Sequence, residues 1–360
     1  MVSSQSSSIP QSPADLLAKG QVKTFVMPDL KEICPWSWGF NPHYEAIGAK
    51  SQDWIDSFNV FSDAKRAFFK ASNMSLLGAY AYPQAGPEAF LACSDWLNVI
   101  LLVDDYCDEQ DGAQSREISD AFLDGLKGNP RDGSVFSAIG ADFRARHFSF
   151  LTKSAQERLI ESFAIYLDSI VRESDSRDRG KESKDVESYL TERRENGGYQ
   201  TGYMLFDFVQ GTNLPDAVHE SPIMKRLHSI SCELDVILND LYSYRMELSR
   251  GLAESNIMTV FMRSERLSLQ EAADRVGEFF RSKIEEFTAE KEEIARRPFS
   301  DYGYGKDVDE GVAKTIESME LLCAGYIRWC LAMPRYFGNN FREVVETRVV
   351  TLQEPKDAYN

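Results

Sequence analysis

The stretch WLNVILLVDDYCDEQ, residues 96–110, sets the terms on which this chain is read. Eight largely apolar residues carry the chain into Asp104, Asp105, Asp108 and Glu109, with no positive charge among them. The apolar run is continuous rather than alternating, and the acids that follow are spaced by helical turns. On a helix, Asp104 and Asp108 share one face at i and i+4, and Asp105 with Glu109 repeats the relation about 100° round. Like charges at that spacing repel, and the C-terminal end of a helix is already negative, so ionising all four is unfavourable unless cations intervene. Hard divalent cations such as Mg²⁺ take oxygen ligands and bind one or two carboxylates together with substrate phosphates. The plainer alternative is an acidic helix end that spills into a solvated loop.

Outward from this stretch the helical period persists. Phe163, Tyr166, Leu167 and Ile170 recur at helical spacing, as do Phe279, Phe280, Ile284 and Phe287, while strand alternation is nearly absent. Polar breaks at 83–88, 127–134, 172–185, 211–222 and 296–311 cut the chain into about ten or eleven helices. The breaks are alike in length and composition, so none stands out as a linker, and the reading is all-α in one domain. The mixed-charge run ESDSRDRGKESKD within 172–185 reads as a solvated connection. A Ser-rich leader is expected over 1–22, the helical domain over 23–350 and a polar tail over 351–360.

Composition narrows the function. The chain has 360 residues, enough for a large core and a cavity, and a net charge of −17. That charge disfavours nucleic acid and anionic membrane surfaces. The six cysteines are scattered without a CxxC pair, which argues against a zinc site or a disulfide framework and fits a reducing, cytoplasmic setting. No apolar run approaches the length of a membrane span.

A second segment, CELDVILNDLYSYRMEL, repeats the pattern of the first. Here an apolar run leads into Asn239, Ser243 and Glu247 at i, i+4 and i+8. Amide, hydroxyl and carboxylate then offer three oxygen ligands over two helical turns. Singly, an Asn or Ser on an apolar helix is more often a satisfied core residue. Paired with the acid cluster, the trio suggests two metal-binding walls facing each other across a cavity, with a diphosphate to fill the open coordination sites. Cationic donors for that diphosphate are sought in Arg193, Arg194 and Arg335, the last followed by Tyr336. Asn196, Gly197 and Gly198 interrupt the helix just after Arg193, and the break frees backbone carbonyls that can face a substrate cation.

With these motifs in place, the sequence resembles the class I terpene synthases, and most of all the fungal sesquiterpene cyclases. The resemblance rests on DDYCD at 104–108, NDLYSYRME at 239–247, RY at 335–336 and Trp329 six residues before it, and it extends over roughly 25–345. It implies a helical bundle around a central apolar cavity. It also implies a metal ligand at Asp104 with Asp108 second, and Asp105 turned toward an arginine or solvent. Asn239, Ser243 and Glu247 would hold the second metal site. Arg335, Tyr336 and Arg193 would bind diphosphate, with Asn196 and Gly197 relaying movement of Arg193 to the helix break. Three Mg²⁺ ions and a homodimer belong to the same expectation. Two departures stand out: Met246 occupies a position where many bacterial members carry lysine, leaving neighbouring Arg245 as a substitute, and the acid run continues to Glu109.

The implied reaction is ionisation of farnesyl diphosphate and cyclisation of the carbocation to a sesquiterpene hydrocarbon or alcohol. Aromatic faces stabilise such a cation while excluding water. Phe69, Tyr80, Trp96, Phe206 and Trp329 are the candidate wall, with Trp329 and Phe206 first because they neighbour the diphosphate motifs, although each is also readable as ordinary core. Two rivals remain. A chain-elongating isoprenyl diphosphate synthase shares the metal chemistry but normally carries a second DDxxD, where this chain reads NDLYS. A non-enzymatic helical protein could hold Ca²⁺ on the same acids, although the ligand pattern of an EF-hand is absent.

Overall fold

The computed structural model describes residues 23–179 and 185–352. Helices dominate. In chain order those used below are α1 (Tyr44–Asp56), α2 (Asp63–Ser72), α3 (Met74–Ala81), α4 (Pro87–Cys107), α5 (Gly112–Lys127), α6 (Val135–His147), α7 (Lys153–Asp178), α8 (Val186–Asn196), α9 (Tyr199–Tyr203), α10 (Pro222–Arg250), α11 (Ile257–Ser264), α12 (Leu269–Arg296) and α13 (Lys306–Cys330). The expected leader, 1–22, lies outside the described residues.

Local chemistry sets the helix boundaries. Pro87 and Pro222 open α4 and α10 at a position where a missing N–H costs nothing. Capping boxes start α5 at Asp111 with Gln114 and α12 at Ser268 with Glu271. Gly128 and Gly251 stop α5 and α10 in the left-handed conformation. Helix α4 is buried around most of its circumference, from Ala89 to Cys107, as its unbroken apolar run requires. It therefore sits inside the bundle, flanked by α1, α3, α6 and α7, while α10 packs against α12 and α13 on the other side.

Two local differences from the sequence reading have plain causes. The charge tract after residue 172 does not end α7, which runs on to Asp178. Pairs at i, i+4, Arg172 with Asp168 and Arg179 with Asp175, support the added turns. The chain also forms a short antiparallel ribbon in which Thr24–Val26 (β1) pairs with Val349–Thr351 (β2). Phe25 and Val350 are its buried pair, and the Phe25 ring meets Tyr244 of α10 edge-on at 6.2 Å. Thr351, the first residue of the expected tail, is thus a ladder partner of Thr24; three-residue strands are too short to show alternation.

Candidate active site

The C-terminal end of α4 and the C-terminal half of α10 face one cavity. About 980 Å³ of empty space, its mouth included, is lined by α3, α4, α8 to α10 and α13 and by the segment after α13. Along α4 the lining changes character: Trp96, Leu97, Ile100 and Leu101 come first, then Asp104, Asp105 and Asp108. Trp96 precedes Asp104 by eight residues, about 12 Å of helix axis, so an apolar interior ends in an acidic rim.

On this first wall, Asp104, Asp105 and Asp108 bring one carboxylate oxygen each to within 4.8 Å of one another. Asp105 is buried and paired with arginines. It accepts from Arg335 Nη2 at 3.2 Å and lies 3.7 Å from Arg250 Nη1, which answers its charge twice. Asp108 has a weaker counterion in Arg177, 3.6 Å away. Among the described residues Asp104 has no ion-pair partner of its own, and Arg193 and Arg335 offset only part of what raises it. Burial, then the charges of Asp105 and Glu173, push its carboxyl from an ordinary 3.8 up to about 7. Asp108 rises for the same reasons, with Asp104 and Glu173 as its like-charged neighbours. Glu109 leaves the cavity to pair with Lys65 at 2.9 Å.

The second wall is tied down throughout. Asn239 donates through Nδ2 to the phenols of Tyr326 (2.9 Å) and Tyr336 (3.2 Å), and its Oδ1 accepts from Arg193 Nη2 at 3.2 Å. Ser243 donates to Glu247 Oε1 at 2.5 Å, and Asn256 donates to Glu247 Oε2 at 2.9 Å. Burial, then nearby Asp240, push Glu247 from 4.5 up to about 7. Asp240 itself is fully buried; it accepts from the Tyr189 phenol and the Ile257 N–H (2.9 Å) and pairs with Arg193 at 3.0 Å.

Arg193 also donates to Asn196 Oδ1, and Asn196 donates onward to Glu173 of α7. The chain breaks directly afterwards. Gly198, at φ 73, separates α8 from α9, and a Cβ there would press Ile100 of α4 at 3.0 Å. One turn on, Gly202 allows the Trp96 ring to approach; a Cβ would stand 2.5 Å from it. Arg335 is anchored from the other side by Ser72 Oγ at 2.7 Å, and Trp329 Nε1 donates to Ser72 O at 3.1 Å.

The cavity gathers Asp104, Asp108, Arg193, Asn239, Ser243, Glu247, Arg335 and Tyr336 of the sequence candidates, with Trp96 and Trp329 among its aromatic lining. Phe206 and Phe69 are not part of that lining. Phe206 is wedged between Tyr203 and Tyr82, at 5.3 and 6.3 Å, and Phe69 packs on Phe61 at 5.5 Å. Tyr80 faces outward to Trp38 and Phe40. Arg194 is spent on Glu187 and Glu233, and Arg245 donates to Thr351 O, so neither reaches the cavity. Met246 does line it, as does Arg250, about one helical turn further along α10. Tyr199, Asp240, Arg250 and Tyr326 escape the sequence reading. Arg250 carries a signal, lying i+3 from Glu247; Glu173 carries none, because it lies in the tract that reads as solvated.

Residues 95–286 match the model of terpene synthase family 2, C-terminal metal binding. A Coprinopsis cinerea protein named linoleate 10R-lipoxygenase COP4 is 30% identical over 92% of this chain and 94% of its own length. A sesquiterpene synthase of Sphaerobolus stellatus is 30% identical over 92% of this chain and 95% of its own. Among solved structures, α-eudesmol synthase superposes with a TM-score of 0.73 at 18% identity, covering 83% of this chain and 97% of that one.

Proposed function

The chain belongs to the terpene synthase family, and on that premise we propose that it is a sesquiterpene synthase that ionises farnesyl diphosphate, cyclises the carbocation and releases diphosphate. The observation that carries this reading is the gradient along α4, from an apolar aromatic interior to a rim where carboxylates and two anchored arginines converge.

The rim suits a divalent cation. Its donors are oxygens throughout, and the carboxyls of Asp104, Asp108 and Glu247 are raised first by desolvation and then by like-charged neighbours, a state that a bound cation relieves. Asp104 and Asp108 would hold cation on one wall, and Asn239, Ser243 and Glu247 on the other. Mg²⁺, three ions by family resemblance, supplies when bound the charge that stabilises the departing diphosphate. Arg335, held by Asp105 and Ser72, and Arg193, held by Asp240, donate to diphosphate oxygens without titrating; Tyr336 adds a phenol. The hydrocarbon chain lies against Trp96, Leu97, Ile100, Tyr199, Leu322 and Trp329. Their surfaces exclude water, and the ring faces favour positive charge. No protein nucleophile is required.

No residue in the cavity favours the oxygenase chemistry in the name of the Coprinopsis relative: among the described residues, no histidine lines it. The six unbridged cysteines favour a cytoplasmic setting, and no helix among the described residues is long and apolar enough to cross a membrane. Incubation with C10, C15 and C20 isoprenyl diphosphates plus Mg²⁺, followed by gas chromatography–mass spectrometry, tests the reading. A cyclic C15 hydrocarbon or alcohol is expected. Elongated linear diphosphates would assign the chain to prenyl transfer, and farnesol alone would assign it to hydrolysis.

A further inference from the structure

Resting on that reading, we propose that Glu173 is a positioning residue: through Asn196 it holds the Arg193 guanidinium in the orientation from which that group meets a diphosphate. Arg193 stands on α8, but much of what fixes it lies on other helices. Its Nη2 donates to Asn239 Oδ1 at 3.2 Å and to Asp240 Oδ1 at 3.0 Å, both on α10. Its Nη1 donates to Asn196 Oδ1. Its Nε is buried and has no partner among the described residues, although the side chain lines the cavity. A guanidinium is a rigid planar fork, so the hold on its two terminal nitrogens decides where the third donor points.

The hold from α10 is direct, whereas the hold from Asn196 depends on α7. Asn196 is the last residue of α8, beside Gly197 and the Gly198 break, where no further helical turn braces its side chain. Glu173 braces it instead, accepting from Asn196 Nδ2 at Oε2. The link has one direction. A guanidinium only donates and a carboxylate only accepts, so both ends require the amide oxygen toward Arg193 and the amide nitrogen toward Glu173. The preceding residues are joined as well, Arg172 donating to Glu195, so two consecutive residues of α7 bind two consecutive residues of α8. In such a chain each bond polarises the next, and the charge at its end strengthens the hold on Nη1. Glu173 also lines a cavity with Asp104, Asp108 and Arg193, so its charge acts on the acidic wall too. Substitution can separate the hydrogen bond from the charge.

Glu173→Gln and Glu173→Leu remove the same charge at similar size, and only glutamine keeps an oxygen for Asn196 Nδ2. Titration calorimetry with inorganic diphosphate at saturating Mg²⁺ compares them, with Glu173→Ala repeating the leucine arm should leucine disturb the fold. Glu173→Leu should bind diphosphate roughly five- to tenfold more weakly than Glu173→Gln, the net contribution of one hydrogen bond to a charged group. In an Asn196→Ala background the relay is absent, and the two variants should agree to within about twofold. An equal gap in both backgrounds means that Glu173 acts by packing alone and overturns the proposal. So does the absence of a gap when Asn196 is present. Wild type and Arg193→Ala serve as controls. If the wild type binds no diphosphate with Mg²⁺, or Arg193→Ala binds it equally well, the diphosphate reading fails and this inference fails with it; with both controls as expected, a missing gap defeats this inference alone.

Discussion

The two walls of the cavity are built on opposite plans. On α10 each functional atom is already engaged: Asn239 by three side chains, Ser243 by Glu247, Glu247 by Asn256, and neighbouring Asp240 by Arg193, Tyr189 and a backbone N–H. On α4 the charge is answered unevenly, for Asp105 has two close arginines and Asp108 has one, Arg177, while Asp104 is left beside Asp105 and Glu173. One wall is ordered in advance, and the other stores electrostatic cost that a cation removes. An oxygen ligand can thus be prepared by hydrogen bonding or by leaving it short of positive charge, and the two should respond differently to mutation.

The largest effects fall on turnover and should part the walls by their stability. Asp104→Asn and Asn239→Ala are each expected to reduce product formation by about 10³-fold or more, the scale of lost electrostatic stabilisation at a reacting charge. In chelator at pH 8, however, Asp104→Asn should raise the thermal midpoint, since it removes a charge crowded by Asp105 and Glu173, whereas Asn239→Ala should lower it by removing three side-chain hydrogen bonds to Arg193, Tyr326 and Tyr336. Both midpoints moving the same way breaks the comparison. A smaller effect is expected one residue along: Asp240→Ala should cost about 3 kcal/mol in chemical denaturation by leaving Arg193 buried and uncompensated. A variant as stable as the wild type would mean that Asp240 does not anchor that arginine.

The smallest effect is that of pH on the cation-free protein. A carboxyl whose folded pKa exceeds its unfolded value costs nothing below the unfolded value and its full amount above the folded one. For Asp104 that window runs from 3.8 to about 7, and for Glu247 from 4.5 to about 7. Calorimetric stability in chelator should therefore decline as pH rises through it, an effect that Asp104→Asn reduces. Rising stability over the same range contradicts the charge excess on the first wall.

How much of this the sequence reveals depends on whether a residue acts within its own helix. Asp104, Asp108, Asn239, Ser243 and Glu247 are legible because their roles follow a four-residue period along one segment. Tyr326 and Glu173 act across the bundle, and no local spacing marks them. The aromatic wall divides the same way. Trp96 and Trp329 precede motifs on segments already identified, whereas Phe206 follows a glycine break that turns its ring into the packing around Tyr82 and Tyr203. The extra length of α7 and the β1–β2 ribbon depend on charge pairing and on termini meeting in space, which a hydrophobic period cannot register.

The central claim is that the positive charge missing from the acidic wall arrives with the diphosphate. Titration calorimetry of the chelator-treated protein with Mg²⁺, once alone and once with saturating inorganic diphosphate, measures this directly. The expected result is weak binding alone, binding tighter by at least about tenfold with diphosphate, and loss of that linkage in Asp104→Asn. Equal Mg²⁺ affinity with and without diphosphate would contradict the claim and leave the acids as an independent cation site.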